Sequence, residues 1–341
     1  MGIAQIARKF GQAIMPVRIS VSGLSASQRD FAGAGSTWSP HEKEGAGSTW
    51  SPRAKDSFQP RIPLPLFIGG SSAQAMLELE FVERTDVGRV RDHNEDYLGH
   101  ASPAAPAQAR THGWLFVLAD GVGGHEQGEV ASKTAVESMI AGFSKAKDGE
   151  AHATLLPRLV QQANAHVFEA ALAGGRAAAG MATTMVTCVL RFDRVTVAHV
   201  GDSRCYLIRN GQAVQITRDH TVANEQIRLG VISSQEADEG STRHILSRSL
   251  GTEMVANVET NDHQIFAGDV LLLCSDGLHG AVQASEMGAL CGHGQDLHGA
   301  AEKLVALAND RGGGDNISVQ LVRIRDVERM GMYRGRPYKL Y

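Results

Sequence analysis

The stretch that most constrains what this chain can fold into is Trp114–Gly124, WLFVLADGVGG. The mostly apolar run from Trp114 to Ala119 predicts a buried strand. It ends at Asp120, and three of the next four residues are glycine. Gly121, Gly123 and Gly124 allow a tight turn and a close approach of backbone to a ligand. A helix is expected from about Gly128 to Phe143. A carboxylate is thereby held at a strand tip beside the bare carbonyl of Gly121, and hard divalent cations favour such oxygen donors. Alone, an Asp-Gly pair reads as an ordinary turn; further acidic strand ends later in the chain reverse that judgement.

Before this stretch the chain is of a different kind. Residues 1–20 place apolar side chains at 3, 6, 10 and 14, a helical spacing on a short basic segment. Arg8 and Lys9 break any secretory apolar run, and a frayed tail is favoured over a membrane-surface helix. Residues 21–75 are rich in Ser, Gly, Ala and Pro, and GAGSTWSP occurs at 33–40 and again at 45–52. A repeat this short buries no core, so residues 1–75 are expected to be a disordered tail. Trp38 and Trp50 in the repeat are docking points or the relic of a duplication. Met76 opens the first well-patterned segment and is a candidate alternative translation start.

From Met76, MLELEFVERTDVG alternates like a strand, and the polar cluster RVRDHNEDYLG follows. Residues 101–112 read as a loop, 154–173 as a helix, and 181–192 and 194–200 as strands joined at Asp193. Cys205–Arg209 continues as a strand into Asn210-Gly211, a strong hairpin signal. Residues 218–250 are polar with helical stretches, the pattern of a surface insertion. Asp269–Cys274 is a buried strand, 296–309 a helix, and ISVQLVRI the last strand, with a loose basic tail at 325–341. Adjacent strand pairs with helices before and between them favour antiparallel sheets over a doubly wound parallel sheet.

Charge is unevenly spread. Residues 1–75 and 323–341 each carry a net +4, so within a whole-chain −4 the middle carries −12. An acidic centre argues against nucleic-acid binding and suits a metal site. No apolar run is long enough to cross a membrane. Cys188, Cys205, Cys274 and Cys291 form no CxxC pair and read as reduced core thiols of a cytoplasmic protein. The histidines show no zinc-type spacing with them.

Three times a buried apolar run meets an Asp beside glycine: Asp120 and Asp276 at strand ends, and Asp315 at a strand start. Glu95-Asp96 in RDHNED and Asp202 in HVGDSR add to the set. Converging carboxylates repel one another. Bound Mg²⁺ or Mn²⁺ relieves that repulsion. Two such ions roughly 4 Å apart can hold and deprotonate a bridging water. They also neutralise a phosphate, whose remaining oxygens Arg91 can grip with its planar fork.

RDHNED, LADGVGGHEQGEVAS, GMATT, VGDSR, SRSLGT, CSDGL and DNISV resemble, in this order, the motifs of PP2C-type metal-dependent protein serine/threonine phosphatases, most closely the bacterial branch. The resemblance spans roughly 78–324. It implies an α+β fold, a four-layer α–β–β–α sandwich of two antiparallel sheets between helices, as a domain over about 76–324. It also implies that Asp120 bridges two metal ions, that the Gly121 carbonyl helps hold one, and that Asp276 and Asp315 complete the other. Glu95 and Asp96 would bind metal or its water, Arg91 the substrate phosphate, and Asp202 a third, weaker ion. Residues 218–250 would be the flap beside the active site. Animal members carry a His directly after the Asp-Gly; here Val122 stands there, so the proton donor is a metal-bound water or, second, His125.

The resemblance implies hydrolysis of phosphoserine and phosphothreonine in proteins, with no phosphoenzyme. A cognate bacterial Ser/Thr kinase and its targets are the expected partners of a monomeric chain. No Cys lies in a signature nucleophile loop, and GVGGHEQG fails the dinucleotide pattern because Glu126 replaces the third glycine. Plainer readings stand beside these: Arg91 pairs with Glu95 at the surface, Asp202 forms a turn, and His220 in RDHT is structural. The rival function is an inactive binding module, which should have lost Asp120, Asp276 or Asp315. A third is action on a phosphorylated anti-anti-sigma protein.

Overall fold

A computed structural model of the chain describes residues 76–122, 126–175, 180–240, 242–292, 294–333 and 336–339. The amino-terminal segment 1–20, expected to be a frayed tail, the duplicated octapeptide with Trp38 and Trp50, and His125 lie outside the described residues. Two antiparallel sheets form the centre. One has the order β1 (Glu78–Asp86), β11 (Ile317–Asp326), β10 (Val270–Cys274), β7 (Arg204–Arg209), β8 (Gln212–Gln215). The other runs β2 (Asp96–Ala101), β3 (Trp114–Val122), β5 (Met185–Arg191), β6 (Arg194–Val200), β9 (Glu259–Gln264), with β4 (Ala182–Thr183) paired to β3.

The near-continuous apolar runs follow from burial on both strand faces. On β3, Leu115, Val117 and Ala119 pack under α2 (Glu126–Ser144) and α3 (His152–Gly174). Phe116 and Leu118 point the other way, into the layer between the sheets. On β10, Val270, Leu272 and Cys274 meet α7 (Ala284–Cys291) and α8 (Leu297–Asp310), while Leu271 and Leu273 enter the middle layer. Period-2 alternation with both faces covered yields four layers, helices outside two sheets. The four cysteines are buried and free.

Several boundaries differ from the sequence reading. β3 does not end at Asp120, because Gly121 and Val122 pair with Thr183 and Ala182. That remote partner breaks the expected 181–192 strand at Thr184. Asp276 opens the short helix α6 (Asp276–His279), and Asp315 sits two residues ahead of β11. The loop at 101–112 holds α1 (Pro106–Thr111), with Pro at its first turn where the missing N–H costs nothing. In the tail, β12 (Met330–Tyr333) and β13 (Arg336–Lys339) pair antiparallel, so ISVQLVRI is not the last strand. Residues 218–250 carry α4 (Val222–Arg228) and α5 (Ser234–Glu239).

Candidate active site

Strand polarity brings the acidic segments to one end of the sandwich. In the second sheet, the start of β2 meets the end of β3, with Asp96 directly opposite Asp120. In the first, the end of β10 meets the start of β11 and the start of β7. The two ends are joined where Ser275 Oγ donates to Asp96 Oδ2 at 2.8 Å. A cavity of about 610 Å³ opens there, lined by Arg91, Glu95, Asp120, Gly121, Asp202, Asp276 and Asp315. Asp96 lies alongside, and its Oδ1 is buried with no hydrogen-bond partner. The structure thus brings the whole predicted set together.

Backbone anchoring explains how each carboxylate is aimed. Thr184 donates its N–H to the Asp120 carbonyl at 2.8 Å and accepts the Asp120 N–H on Oγ1 at 3.1 Å. Thr183 Oγ1 donates to the same carbonyl at 2.8 Å. Gly121 must be glycine because a Cβ there would lie 2.2 Å from the Gly128 carbonyl oxygen, at the start of α2. The Glu95 carbonyl accepts from Gly121 N–H at 3.1 Å and Ser132 Oγ at 2.6 Å. Asn316 staples the RDHNED loop: Oδ1 accepts from Glu95 N–H at 2.8 Å, and Nδ2 donates to the carbonyls of Val87 and His93. Before Asp202, Gly201 sits at φ +104°, where its Cβ would be 2.6 Å from Thr184 Cβ.

The electrostatics are those of crowded negative charge. Burial, then the charges of Asp96, Asp276, Asp202 and Asp315, push Asp120 well above the usual carboxylate range. Burial pushes Asp96 up to about 7, against hydrogen bonds from Ser318 and Ser275, with Asp276 and Asp315 adding to the rise. Asp202 is likewise raised to about 7, by burial and then by Asp276 and Asp219. Asp276 is raised mainly by burial and Asp315, and shares a hydrogen bond with Asp120. The plainer reading for Arg91, a surface pair with Glu95, is not the pairing adopted: Arg91 Nη2 donates to Asp315 Oδ2 at 2.7 Å. That hydrogen bond is the first cause holding the guanidinium proton more tightly.

An all-oxygen donor set, excess negative charge and an unpartnered buried carboxylate oxygen suit a hard divalent cation. His244, Ile245, Leu246, Ser249 and Thr252 complete the cavity lining. Sequence reasoning expected 218–250 beside the active site but singled out none of these residues, nor Thr184 or Asn316. GMATT, SRSLGT and DNISV contained the signal, but their part is to hydrogen-bond remote backbone or line a wall. Val122, 40 % exposed, lines the cavity next to Gly121.

The sequence pattern of the family described as protein phosphatase 2C matches residues 89–303. The serine/threonine phosphatase stp of Listeria monocytogenes is 36% identical over 251 residues, covering 73% of this chain and 96% of that protein. The solved serine/threonine phosphatase of S. agalactiae superposes with a TM-score of 0.67 at 28% identity, covering 73% of this chain and all of that one. The catalytic domain of the phosphatase PstP, solved with two manganese ions, gives a TM-score of 0.61 at 31% identity, covering 73% of this chain and 99% of that one.

Proposed function

Because the chain belongs to the protein phosphatase 2C family and is thereby a protein serine/threonine phosphatase, we propose that it hydrolyses phosphoserine and phosphothreonine with the help of two Mn²⁺ or Mg²⁺ ions. Asp120 would bridge the ions, the Gly121 carbonyl would help hold one, and Asp276 and Asp315 would complete the other. Glu95 and Asp96 would contact an ion or its water, and Asp202 would support a third, weaker one. When bound, such ions acidify the water between them enough for it to act as a nucleophile at neutral pH, and they neutralise phosphate. The observation that carries this reading is the single cavity in which Arg91 and carboxylates from separate strand ends converge.

This chain's own groups orient the reaction. Arg91 is half-exposed at the cavity and already holds one carboxylate oxygen at 2.7 Å. A phosphate oxygen of the substrate would take that place. Water attacks phosphorus in line, the P–O bond to the seryl or threonyl oxygen breaks, and that oxygen takes a proton from water in the cavity, since Val122 offers none. A phosphocysteine route is disfavoured, because burial pushes the thiols of Cys188, Cys205 and Cys274 up and that of Cys291 up to about 12. No helix among the described residues is long and apolar enough to cross a membrane. A monomer in the cytoplasm, opposing a cognate Ser/Thr kinase, is proposed on likeness to the family alone.

The test is turnover of p-nitrophenyl phosphate and of a phosphothreonine peptide by the full chain, with Mn²⁺ and with a chelator. Hydrolysis should require the ion, and Asp120→Asn should lower it at least about 100-fold, more than loss of an outer partner of a metal ligand costs. Wild-type protein that binds Mn²⁺ without turning over either substrate would leave only the inactive binding module.

A further inference from the structure

One buried cluster beside the cavity has no part in this mechanism. His199 on β6 and His220, in the RDHT run after β8, stack with ring centroids 4.7 Å apart and planes 11° apart. With Glu259 at the start of β9, their ligand atoms lie within 4.8 Å of one another. The trio is poorly built for a cation. Rings lying flat on each other cannot both aim an in-plane lone pair at one ion. Positive charge is already present: Arg218 Nη2 donates to Glu259 Oε2 at 2.7 Å, and Arg248 Nη1 lies 3.3 Å from His220 Nε2.

His220 is instead engaged at both ring nitrogens. Its side chain is fully buried. Nδ1 accepts from Gly201 N–H at 3.2 Å, and the His220 N–H donates to the Gly201 carbonyl at 2.9 Å. A nitrogen that accepts carries no proton, so the proton of the neutral ring sits on Nε2. Nε2 faces Glu259 Oε2 at 3.4 Å. That contact is the first reason Glu259 is held down at about 2.

The two partners lie on opposite sides of the ring's position in the fold. Gly201, at a positive φ that suits glycine, precedes Asp202, whose own carbonyl accepts from His279 Nε2 at 3.0 Å. The other side is the base of the flap. Ser247 N–H donates to the His220 carbonyl at 2.9 Å, and Val222 N–H to the Ile245 carbonyl at 2.8 Å. Arg248, next in the chain, also donates to Glu225 of α4 at 3.0 Å. Ile245 and Leu246, between these bonds, line the cavity.

We propose that His220 is a positioning residue: one ring nitrogen fixes the turn that aims Asp202 into the cavity, and the other braces the base of the flap against β9. The two sides of the active site are thereby kept in register through one buried imidazole. Only the kinetic part of its test rests on the phosphatase reading.

Two conservative variants separate the two contacts, because an Asn Oδ1 can stand where Nδ1 accepts, and a Gln Nε2–H where Nε2–H donates. Hydrogen–deuterium exchange on the full chain reads them. His220→Asn should leave exchange across 201–204 slow and speed it about tenfold across 245–248, the scale of one lost hydrogen bond. His220→Gln should do the reverse. With a phosphothreonine peptide, His220→Asn should act mainly on KM and His220→Gln mainly on kcat, each by about tenfold. Each variant decides alone if the other fails to fold. Both segments loosening together in either variant, or neither moving, overturns the proposal. A wild-type chain without turnover removes the phosphatase reading and leaves the exchange result to stand by itself.

Discussion

Asp120 faces Asp96 across a ladder and also feels Asp276, Asp202 and Asp315. Without ions the folded state bears that repulsion, so removing one charge relieves it. Metal-free Asp120→Asn should therefore melt above the metal-free wild type, by about 2–4 °C for each kcal/mol relieved, while turnover is lost. Differential scanning calorimetry beside an activity assay checks this, and a lower melting point would show the carboxylate to be structural. Arg91→Ala removes a charge-assisted grip and should raise KM for a phosphothreonine peptide about 10- to 100-fold, read by steady-state kinetics. At this scale the carboxylates were legible, because Asp beside Gly after an apolar run is a rare combination to find repeated. Asn316 and Thr184 were not, since each acts by bonding backbone far away in sequence, Val87 and His93 for one and Asp120 for the other.

Elements were legible where one period dominates. β3 and β10 read as buried strands because helices cover one face and the opposite sheet the other. The Asn210-Gly211 turn was also legible: both residues have positive φ, 53° and 76°, the conformation a two-residue hairpin needs. Gly211→Ala puts a Cβ in that conformation at a cost of about 1 kcal/mol. It should lower the melting point by about 2–4 °C and leave turnover unchanged, since the β7–β8 turn does not line the cavity. A thermal melt and a rate measurement settle both halves. β4 was hidden because two residues carry no period, and α1 because six residues of Pro, Ala, Gln, Arg and Thr resemble a loop in composition.

Across the whole molecule, stability is linked to protons and ions. His152, whose Nε2 meets the His112 carbonyl at 2.8 Å, is lowered to about 4 by burial and then by Arg191. His199 is lowered to about 4 by burial and then by His220. Folding that keeps these rings neutral is fully favoured above the ordinary value of 6.5, and the benefit is lost as pH falls from there toward 4. The melting point should drop over that window, and His152→Gln, which can keep a donor on the His112 carbonyl, should flatten the drop in a pH series of melts. In the other direction, Mn²⁺ at 100 times its Kd should add about 2.7 kcal/mol, or about 5–10 °C, and a chelator should cancel it.

Asp96 belongs to one sheet and Ser275 follows a strand of the other, and a buried hydrogen bond joins them. An ion held by these carboxylates would act as a rivet through both plates. If ions bind as proposed, the ligands of one site would tie the two plates together, and a chelated chain should lose their alignment before it loses its fold.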